Sequence, residues 1–329
     1  MVEVKGLVKK YGGKTILKNV SFKVNDGEIV GFLGPNGAGK STTMNIISGY
    51  IAPTNGSVTI NGHDILKDTL KAKSEIGYLP EQPPLYLDMT VKAYLGFIFD
   101  LKKVKLNKKE HIKEVCELVG INDVYNRTIK KLSKGYKQRV GIAQALIGDP
   151  LVIILDEPTV GLDPNQMICI RNLIKELSKN HTVILSSHIL SEIQSVCQRI
   201  IVINQGEIVA DGKTNDVVNI SDGMSKLILQ VDGDNTLVKK IISNIAGIKT
   251  VSDGANKGDN LFEYEVEYSS NLDVRRELFR ELAKNDCPII EINNIENSLE
   301  DVFLKLTSGE NPEKVNTSKK EKKSSNEEE

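Results

Sequence analysis

Strands dominate the hydrophobic pattern at the start of the chain. Apolar residues alternate with polar ones through residues 1–30, and turn signals such as Gly12-Gly13 divide this stretch into strands. A predicted buried strand over residues 28–33 then leads into a glycine-rich turn, and the pattern predicts a helix from Lys40 to about Gly49. A buried strand is therefore expected to run through glycines directly into a helix.

Strands and helices alternate in the part of the chain that follows. The predicted elements are hairpin strands over residues 55–66, a helical pattern over 91–119, a strand over 151–155, a helix over 167–179, a strand over 183–186, a helix that ends near Cys197, and a hairpin over 200–210. The run 151–155 is apolar throughout, which is typical of a strand covered on both faces of a parallel sheet. This alternation predicts an α/β domain over residues 1–220.

The pattern restarts after residue 220 and predicts a second, smaller domain over residues 221–307. Its predicted strands cover residues 226–231, 248–252, 262–268 and 289–293, and its predicted helices cover 235–245, 272–284 and 298–306. The order β-α-β-β-α-β is ferredoxin-like, with one helix appended, so we expect an α+β accessory domain. Residues 308–329 are rich in Lys, Glu, Ser and Asn, which predicts a disordered charged tail.

Composition places the chain among globular proteins and argues against nucleic acid as its partner. Its 329 residues suggest about two domains of ~150 residues each. The net charge of -1, from 43 basic and 44 acidic residues, does not favour binding dominated by a phosphate backbone. No apolar run approaches the ~20 residues of a membrane span, and the N-terminus does not resemble a signal peptide. We therefore expect no nucleic-acid partner and a cytosolic chain that can dock onto a membrane partner.

The four cysteines give no sign of a disulfide framework or a metal site. They are Cys116, Cys169, Cys197 and Cys287, and they lie far apart with no CxxC pair. We expect reduced thiols that mostly serve packing.

A phosphate-binding motif follows the first buried strand. Its members are Gly34, Pro35, Asn36, Gly37, Ala38, Gly39, Lys40, Ser41 and Thr42, and they fit the pattern G-x-x-x-x-G-K-[ST] between a strand and a helix. Glycines let backbone N–H groups turn inward around phosphate oxygens, and the helix N-terminus adds partial positive charge. We expect Lys40 to reach the β- and γ-phosphates and the Ser41 hydroxyl to ligate Mg²⁺. A turn that only caps a helix would not explain that lysine and serine.

Two adjacent carboxylates follow the apolar run 151–155. Asp156 and Glu157 are expected at the carboxyl end of that strand, where open α/β sheets bind ligands. We expect Asp156 to hold Mg²⁺ through water, and Glu157 to polarise an attacking water. The alternative is a strand that simply ends in solvated acids. The phosphate-binding motif (P-loop) upstream argues against it.

The order of motifs from residue 1 to about 215 resembles the nucleotide-binding subunit of an ABC (ATP-binding cassette) transporter. Residues 132–139, Leu-Ser-Lys-Gly-Tyr-Lys-Gln-Arg, resemble the family signature LSGGQxQR but depart from it at Lys134 and Tyr136. Ser133 and Gly135 are retained, and the resemblance implies that they contact the γ-phosphate. Taken alone, Ser133 would be read as a helix cap.

Further motifs fall in the family's order. The resemblance implies that Gln82 is the Q-loop glutamine that senses Mg²⁺ and water, that residues 161–164 are the D-loop, that His188 is the switch histidine at the γ-phosphate, and that Tyr11 stacks on adenine. Each has a plain structural alternative when taken alone: loop polarity for Gln82, a turn for residues 161–164, a structural histidine, and a strand-end aromatic. The implied catalytic residues are Glu157, His188 and Gln82, and the implied metal ligands are Ser41, Gln82 and Asp156.

The resemblance implies a fold, a reaction and partners. The fold is a P-loop ABC ATPase cassette with an antiparallel β subdomain and a helical subdomain. The cofactors are ATP and Mg²⁺, and ATP lies between two cassettes, with Ser133 and Gly135 supplied by the second one. That second cassette makes a homodimer or a heterodimer. Closure of the pair would drive an integral membrane permease, so the chain is expected on the cytoplasmic face of the membrane.

The end of the chain refines the resemblance. Residues 296–304 resemble the ending of ATPases that are paired with bacterial exporters of the ABC-2 class. The alternative is that Leu299, Val302, Phe303 and Leu306 simply form the buried face of a closing helix. The rival function is a non-transport ABC ATPase that acts on a soluble complex. Such proteins usually carry two cassettes, a coiled coil or a zinc module, and this chain shows none of these patterns.

Overall fold

The computed structural model describes residues 1–214, 224–258, 260–269 and 272–295. The chain divides into two compact units, Met1–Thr214 and Asn215–Glu329. The predicted helix over 298–306 and the predicted tail over 308–329 lie outside the described residues.

A six-stranded sheet forms the centre of the first unit. Its strands are β3 (Ile29–Leu33), β6 (Ile76–Leu79), β7 (Val152–Asp156), β8 (Thr182–Ser187), β9 (Arg199–Asn204) and β10 (Glu207–Lys213), in the order β10-β9-β3-β8-β7-β6. All neighbours are parallel except the hairpin β9–β10. Every residue of β3, β7 and β8 is buried, as their apolar runs predict. The carboxyl ends of these strands therefore meet at one edge.

A second, antiparallel sheet supplies the predicted β subdomain. It contains β1 (Val2–Tyr11), β2 (Lys14–Val24), β4 (Asn55–Ile60) and β5 (His63–Asp64), in the order β2-β1-β4-β5. Its apolar face shares one hydrophobic core with the parallel sheet, and that core includes Val4, Phe22, Met44, Ile154 and Ile201. Burial of this common core holds the two sheets together.

The helices of the first unit pack around these sheets. Their bounds are α1 (Lys40–Ile47), α2 (Thr69–Ser74), α3 (Val91–Leu101), α4 (Lys108–Val119), α5 (Lys134–Leu146), α6 (Pro164–Leu177) and α7 (Leu190–Val196), with short 3-10 turns over Asn122–Val124 and Ile129–Lys131. The predicted helical stretch 91–119 is two helices rather than one. Lys103 has a positive φ of 52°, which a helix does not tolerate, and Asn107 caps α4 by accepting from the Glu110 N–H.

The second unit contains the predicted succession of strands and helices. Its elements are β11 (Met224–Asp232), α8 (Asn235–Ser243), β12 (Ile248–Gly258), β13 (Leu261–Ser269), α9 (Arg275–Lys284) and β14 (Ile289–Ile295), and the antiparallel sheet has the order β12-β13-β11-β14. Leu229, Val266, Val238 and Leu278 bring strands and helices into one core. The description of this unit as ferredoxin-like stays a prediction, since its last predicted helix lies outside the described residues.

Across the described residues, no helix is both long and apolar enough to span a membrane.

Candidate functional site

The glycine-rich turn between β3 and α1 holds the amino group of Lys40 in place. Gly39 precedes α1 with a φ of 114°, a conformation that favours glycine over any residue with a side chain. The Lys40 Nζ atom donates to the carbonyl oxygens of Gly34, at 2.8 Å, and Pro35, at 3.3 Å. Lys40 is only 5% exposed. The ammonium group is therefore fixed inside the turn rather than free in solvent.

The two carboxylates at the end of β7 lie where the sequence predicts, and their surroundings differ. The hydroxyl of Ser186, on the neighbouring strand β8, donates to Asp156 Oδ1. Glu157 has a φ of 48°, so the chain turns sharply after the strand. A non-glycine residue in this region carries strain of about 1–3 kcal/mol, and such strain clusters at functional sites. The turn directs the two consecutive side chains to different places.

Glu157 joins the glycine-rich turn to His188. One carboxylate oxygen, Oε1, lies 3.5 Å from Lys40 Nζ, and the other, Oε2, lies 2.8 Å from His188 Nδ1. The carboxylate accepts from the ring nitrogen, so the hydrogen of this bond is carried by Nδ1. The side chain of Glu157 is buried, whereas that of His188 is 39% exposed. The cluster therefore opens to solvent on the side of the histidine.

Residues on the neighbouring strand β6 frame the same edge of the sheet. Tyr78 donates its hydroxyl to Asn45 Oδ1 of α1 at 2.9 Å. Burial, together with the Asp156 carboxylate, raises the pKa of Tyr78 well above its usual value, so this tyrosine stays protonated. Gln82 lies exposed in the loop after β6. Because β6 and β7 are parallel neighbours, Gln82 follows a strand end adjacent to that of Asp156.

Tyr11 and the rest of the glycine-rich turn complete the set of predicted nucleotide contacts. Tyr11 ends β1 and is 51% exposed, with Lys9 Nζ 4.9 Å from its ring centre. In the glycine-rich turn, Asn36 and Gly37 are exposed and Ala38 is buried; Ser41 and Thr42, in the first turn of α1, are half-buried. The turn thus exposes its tip while its two ends are packed into the core.

The signature residues lie at the N-terminus of α5. The Ser133 hydroxyl caps the helix by accepting from the Tyr136 N–H at 3.4 Å. Gly135 is buried so tightly that an added Cβ would lie 2.7 Å from Gln166 Cδ. Ser133 and Gly135 therefore contact Tyr136 and Gln166, not the Lys40–Glu157–His188 cluster.

Tyr136, one of the two departures from the signature, takes a local role. Its hydroxyl donates to Asp123 Oδ2 at 2.5 Å, and Arg139 lies 5.8 Å from its ring centre. The hydrogen bond to Asp123 raises the pKa of Tyr136. Its side chain therefore connects the first turn of α5 to the 3-10 turn over Asn122–Val124.

The structure also identifies buried residues at the site that the sequence did not single out. Ser186 bonds Asp156, and Thr159 and Ser187 both bond the carboxylate of Glu192. Ser187 and Glu192 are close to His188 in the sequence, and only this proximity could have indicated that they belong to the site.

Comparison with known proteins places the chain in a family. Residues 17–160 match the family model described as ABC transporter. The chain is 34% identical over 309 residues to "Linearmycin resistance ATP-binding protein LnrL" of Bacillus subtilis (strain 168), covering 93% of this chain and 98% of the relative. It is 32% identical over 311 residues to "Bacitracin transport ATP-binding protein BcrA" of Bacillus licheniformis, covering 94% and 98%.

A solved structure shares the fold of the first unit. It is described as the "Dimeric structure of a post-hydrolysis state of the ATP-binding cassette MJ0796 bound to ADP and Pi", with a TM-score of 0.59 and 29% sequence identity. The match covers 65% of this chain and 98% of that one. The predicted cassette fold is thereby confirmed. The chain belongs to the ABC transporter ATP-binding proteins, and it is the ATP-binding and ATP-hydrolysing subunit of an ABC transporter.

Proposed function

We propose that the Lys40–Glu157–His188 cluster is the ATP hydrolysis site and that each residue has a separate role in it. Lys40 contacts the β- and γ-phosphates, around which the backbone N–H groups of residues 36–42 close. Glu157 accepts a proton from the attacking water, and His188 holds the γ-phosphate in line. The observation that carries this proposal is the pair of contacts that Glu157 makes, 3.5 Å to Lys40 Nζ and 2.8 Å to His188 Nδ1.

The donor atoms at the sheet edge suit Mg²⁺. Ser41, Gln82 and Asp156 offer a hydroxyl, an amide oxygen and a carboxylate, and these hard oxygen ligands, together with phosphate oxygens and water, are what Mg²⁺ prefers. When bound, Mg²⁺ would neutralise charge that develops on the phosphates. Ser186 orients the Asp156 carboxylate through its hydrogen bond.

A second cassette completes the site in this proposal. Ser133 caps α5 and Gly135 lies in its first turn, and both would contact the γ-phosphate held by the other cassette. Tyr11 would stack on adenine at its exposed strand end. Support comes from the similar cassette MJ0796, whose structure is described as dimeric. The partner is a copy of this chain or a related cassette.

Export through a membrane permease is the proposed outcome of closure. The relatives LnrL and BcrA are named for linearmycin resistance and for bacitracin transport, and both align with this chain over almost their whole length. These names favour an ATP-binding subunit of an exporter, bound at the cytoplasmic face of the membrane, over a non-transport ATPase that acts on a soluble complex. Substrate choice would lie in the permease.

Affinity capture from the native membrane tests the transport proposal. A tagged Glu157→Gln chain, which should bind MgATP but hydrolyse it slowly, is solubilised in mild detergent and its companions are identified. A multi-span membrane protein in stoichiometric amount is expected, and Lys40→Met serves as the control that should not trap the closed state. Ribosomes or a soluble complex without any membrane protein would contradict transport.

We also propose that residues 221–307, the accessory domain, are dispensable for nucleotide contact, and that 308–329 form a charged tail. The Lys40 cluster lies entirely within the unit Met1–Thr214. A chain truncated after residue 220 should therefore keep its affinity for ATP. A folded truncated chain that no longer binds ATP would contradict this boundary.

A further inference from the structure

A buried carboxylate, Glu192, joins the two segments that carry Glu157 and His188. Glu192 is 3% exposed, and its Oε2 atom accepts two hydrogen bonds. One comes from the Thr159 hydroxyl at 2.5 Å, and the other comes from the Ser187 hydroxyl at 3.0 Å. Thr159 is two residues after Glu157, and Ser187 immediately precedes His188. Glu192 therefore connects the chain on either side of the Glu157–His188 contact.

The bridge continues into the backbone that carries the histidine. The Ser187 Oγ atom accepts from the N–H of Ile189 at 3.0 Å while donating to Glu192. The Ser187 hydroxyl therefore holds the backbone on both sides of His188. Rotation of this short segment would break hydrogen bonds that water cannot replace, because Ser187 and Thr159 are also buried.

Glu192 is an unusual choice for a residue that only fills space. Its second carboxylate oxygen, Oε1, is buried and has no hydrogen-bond partner among the described residues. An incompletely paired polar group in a core lowers stability, and an apolar side chain would avoid that cost. A carboxylate at this position is better explained by its ability to accept hydrogen bonds from two hydroxyl groups at once.

We propose that Glu192 is a positioning residue for ATP hydrolysis, which holds His188 in register with Glu157 by bridging Thr159 and Ser187. This inference rests on the proposed roles of Glu157 and His188. Loss of Glu192 should affect hydrolysis and not ATP binding. Loss of the bridge should slow the chemical step, while nucleotide affinity, which depends on Lys40 and the glycine-rich turn, should change little.

The test compares two substitutions of similar size in the full chain. Glu192→Leu removes the acceptor, whereas Glu192→Gln keeps one oxygen that can accept from both hydroxyl groups. Misplacement of a catalytic group by about 1 Å costs on the order of 100-fold in rate, so Glu192→Leu should lower kcat for ATP by about 10- to 100-fold. Its KM and its Kd for ATP should be little changed, and Glu192→Gln should restore most of kcat.

Two further variants separate positioning from stability. Thr159→Val keeps the shape of the side chain but removes its hydroxyl, so it should lower kcat in the same direction with KM unchanged. Ile193→Val lies on the same helix and packs against β3, since a Cβ on Gly31 would lie 2.3 Å from Ile193 Cγ2. It should lower the melting temperature without a selective loss of kcat.

The outcomes distinguish this inference from the proposed site. Full ATPase activity in Glu157→Gln would overturn the proposed site and the bridge with it. If Glu157→Gln is inactive but Glu192→Leu keeps wild-type kcat, the bridge alone is overturned. The same holds if kcat, ATP affinity and melting temperature fall together in Glu192→Leu and Glu192→Gln alike, because that pattern indicates general destabilisation.

Discussion

The Nδ1 atom of His188 lies 2.8 Å from the Oε2 atom of Glu157, although the two residues are 31 positions apart in the chain. The contact forms because β7 and β8 are adjacent parallel strands, so the residues that follow them emerge at the same edge. Lys40 approaches the other oxygen of the same carboxylate at 3.5 Å. Glu157 is thereby placed between the phosphate-binding turn and the histidine.

Replacement of His188 by alanine should slow hydrolysis without preventing nucleotide binding. The imidazole contacts Glu157 and is proposed to hold the γ-phosphate, while Lys40 and the turn carry the affinity. We expect a fall in kcat of about 100-fold or more, the scale of one positioned catalytic hydrogen-bond donor. Steady-state ATPase assays and ATP binding titrations check this. His63→Ala, at a histidine remote in sequence, is the control, and equal kcat in His188→Ala and wild type would contradict the role.

Replacement of Lys40 by methionine should weaken ATP binding itself. A hydrogen bond to a charged group contributes about 1.5–3 kcal/mol, which corresponds to about 10- to 150-fold in Kd. Titration of the purified chain with ATP measures this change. Lys18→Met is the matched control, because Lys18 is a surface lysine 3.7 Å from Glu207. Unchanged affinity in Lys40→Met would show that the turn does not bind phosphate through this lysine.

A single methyl group at Gly135 should disturb the start of α5. The added Cβ would lie 2.7 Å from Gln166 Cδ, so the helix or the glutamine has to move. Overpacking of this kind typically costs about 1–3 kcal/mol. We expect Gly135→Ala to lower ATPase activity and the melting temperature, and we expect Gly135→Ala combined with Gln166→Ala to recover part of both. Failure of the double variant to recover would mean that contact with Gln166 is not the cause.

One thiol should react rapidly in the native chain. Cys169 is exposed, whereas Cys116, Cys197 and Cys287 are buried. Burial raises the pKa of Cys116 to about 11 and that of Cys197 to about 12, so the reactive thiolate form is scarce at pH 8. A colorimetric thiol titration should therefore count one fast group per native chain and four in denaturant. Cys169→Ala should remove the fast group, and two or more fast thiols would contradict the described packing.

Elements with a strong local pattern could be predicted, and elements defined by distant contacts could not. The run 151–155 is apolar throughout, and its residues 152–155 form the buried strand β7 together with Asp156, while Leu151 is exposed. Its neighbour β6, Ile76–Leu79, has only four residues, and the hydrophobic pattern predicts neither this strand nor the short helix α2. The break at Lys103 depends on a left-handed residue that is not glycine, so sequence alone predicted helix across it.

The same distinction applies to the site. The glycine-rich turn and the Asp156-Glu157 pair are local motifs, so the sequence alone predicts where they lie, and their chemistry stays a proposal. Glu192 carries no such local motif, because its hydrogen bond to Thr159 joins residues 33 positions apart and forms only after β7 and β8 pair. The contact between Glu157 and His188 has the same origin.

Turnover of ATP by the full chain with Glu157→Gln tests directly whether Glu157 is the general base. The substitution keeps the size of the side chain and one acceptor oxygen but removes the base, so only the chemical step should suffer. General-base catalysis contributes about 100- to 10,000-fold, and we predict a fall in kcat within that range with ATP affinity unchanged. Wild-type turnover in Glu157→Gln, in a chain that binds ATP normally, would show that Glu157 does not activate the attacking water.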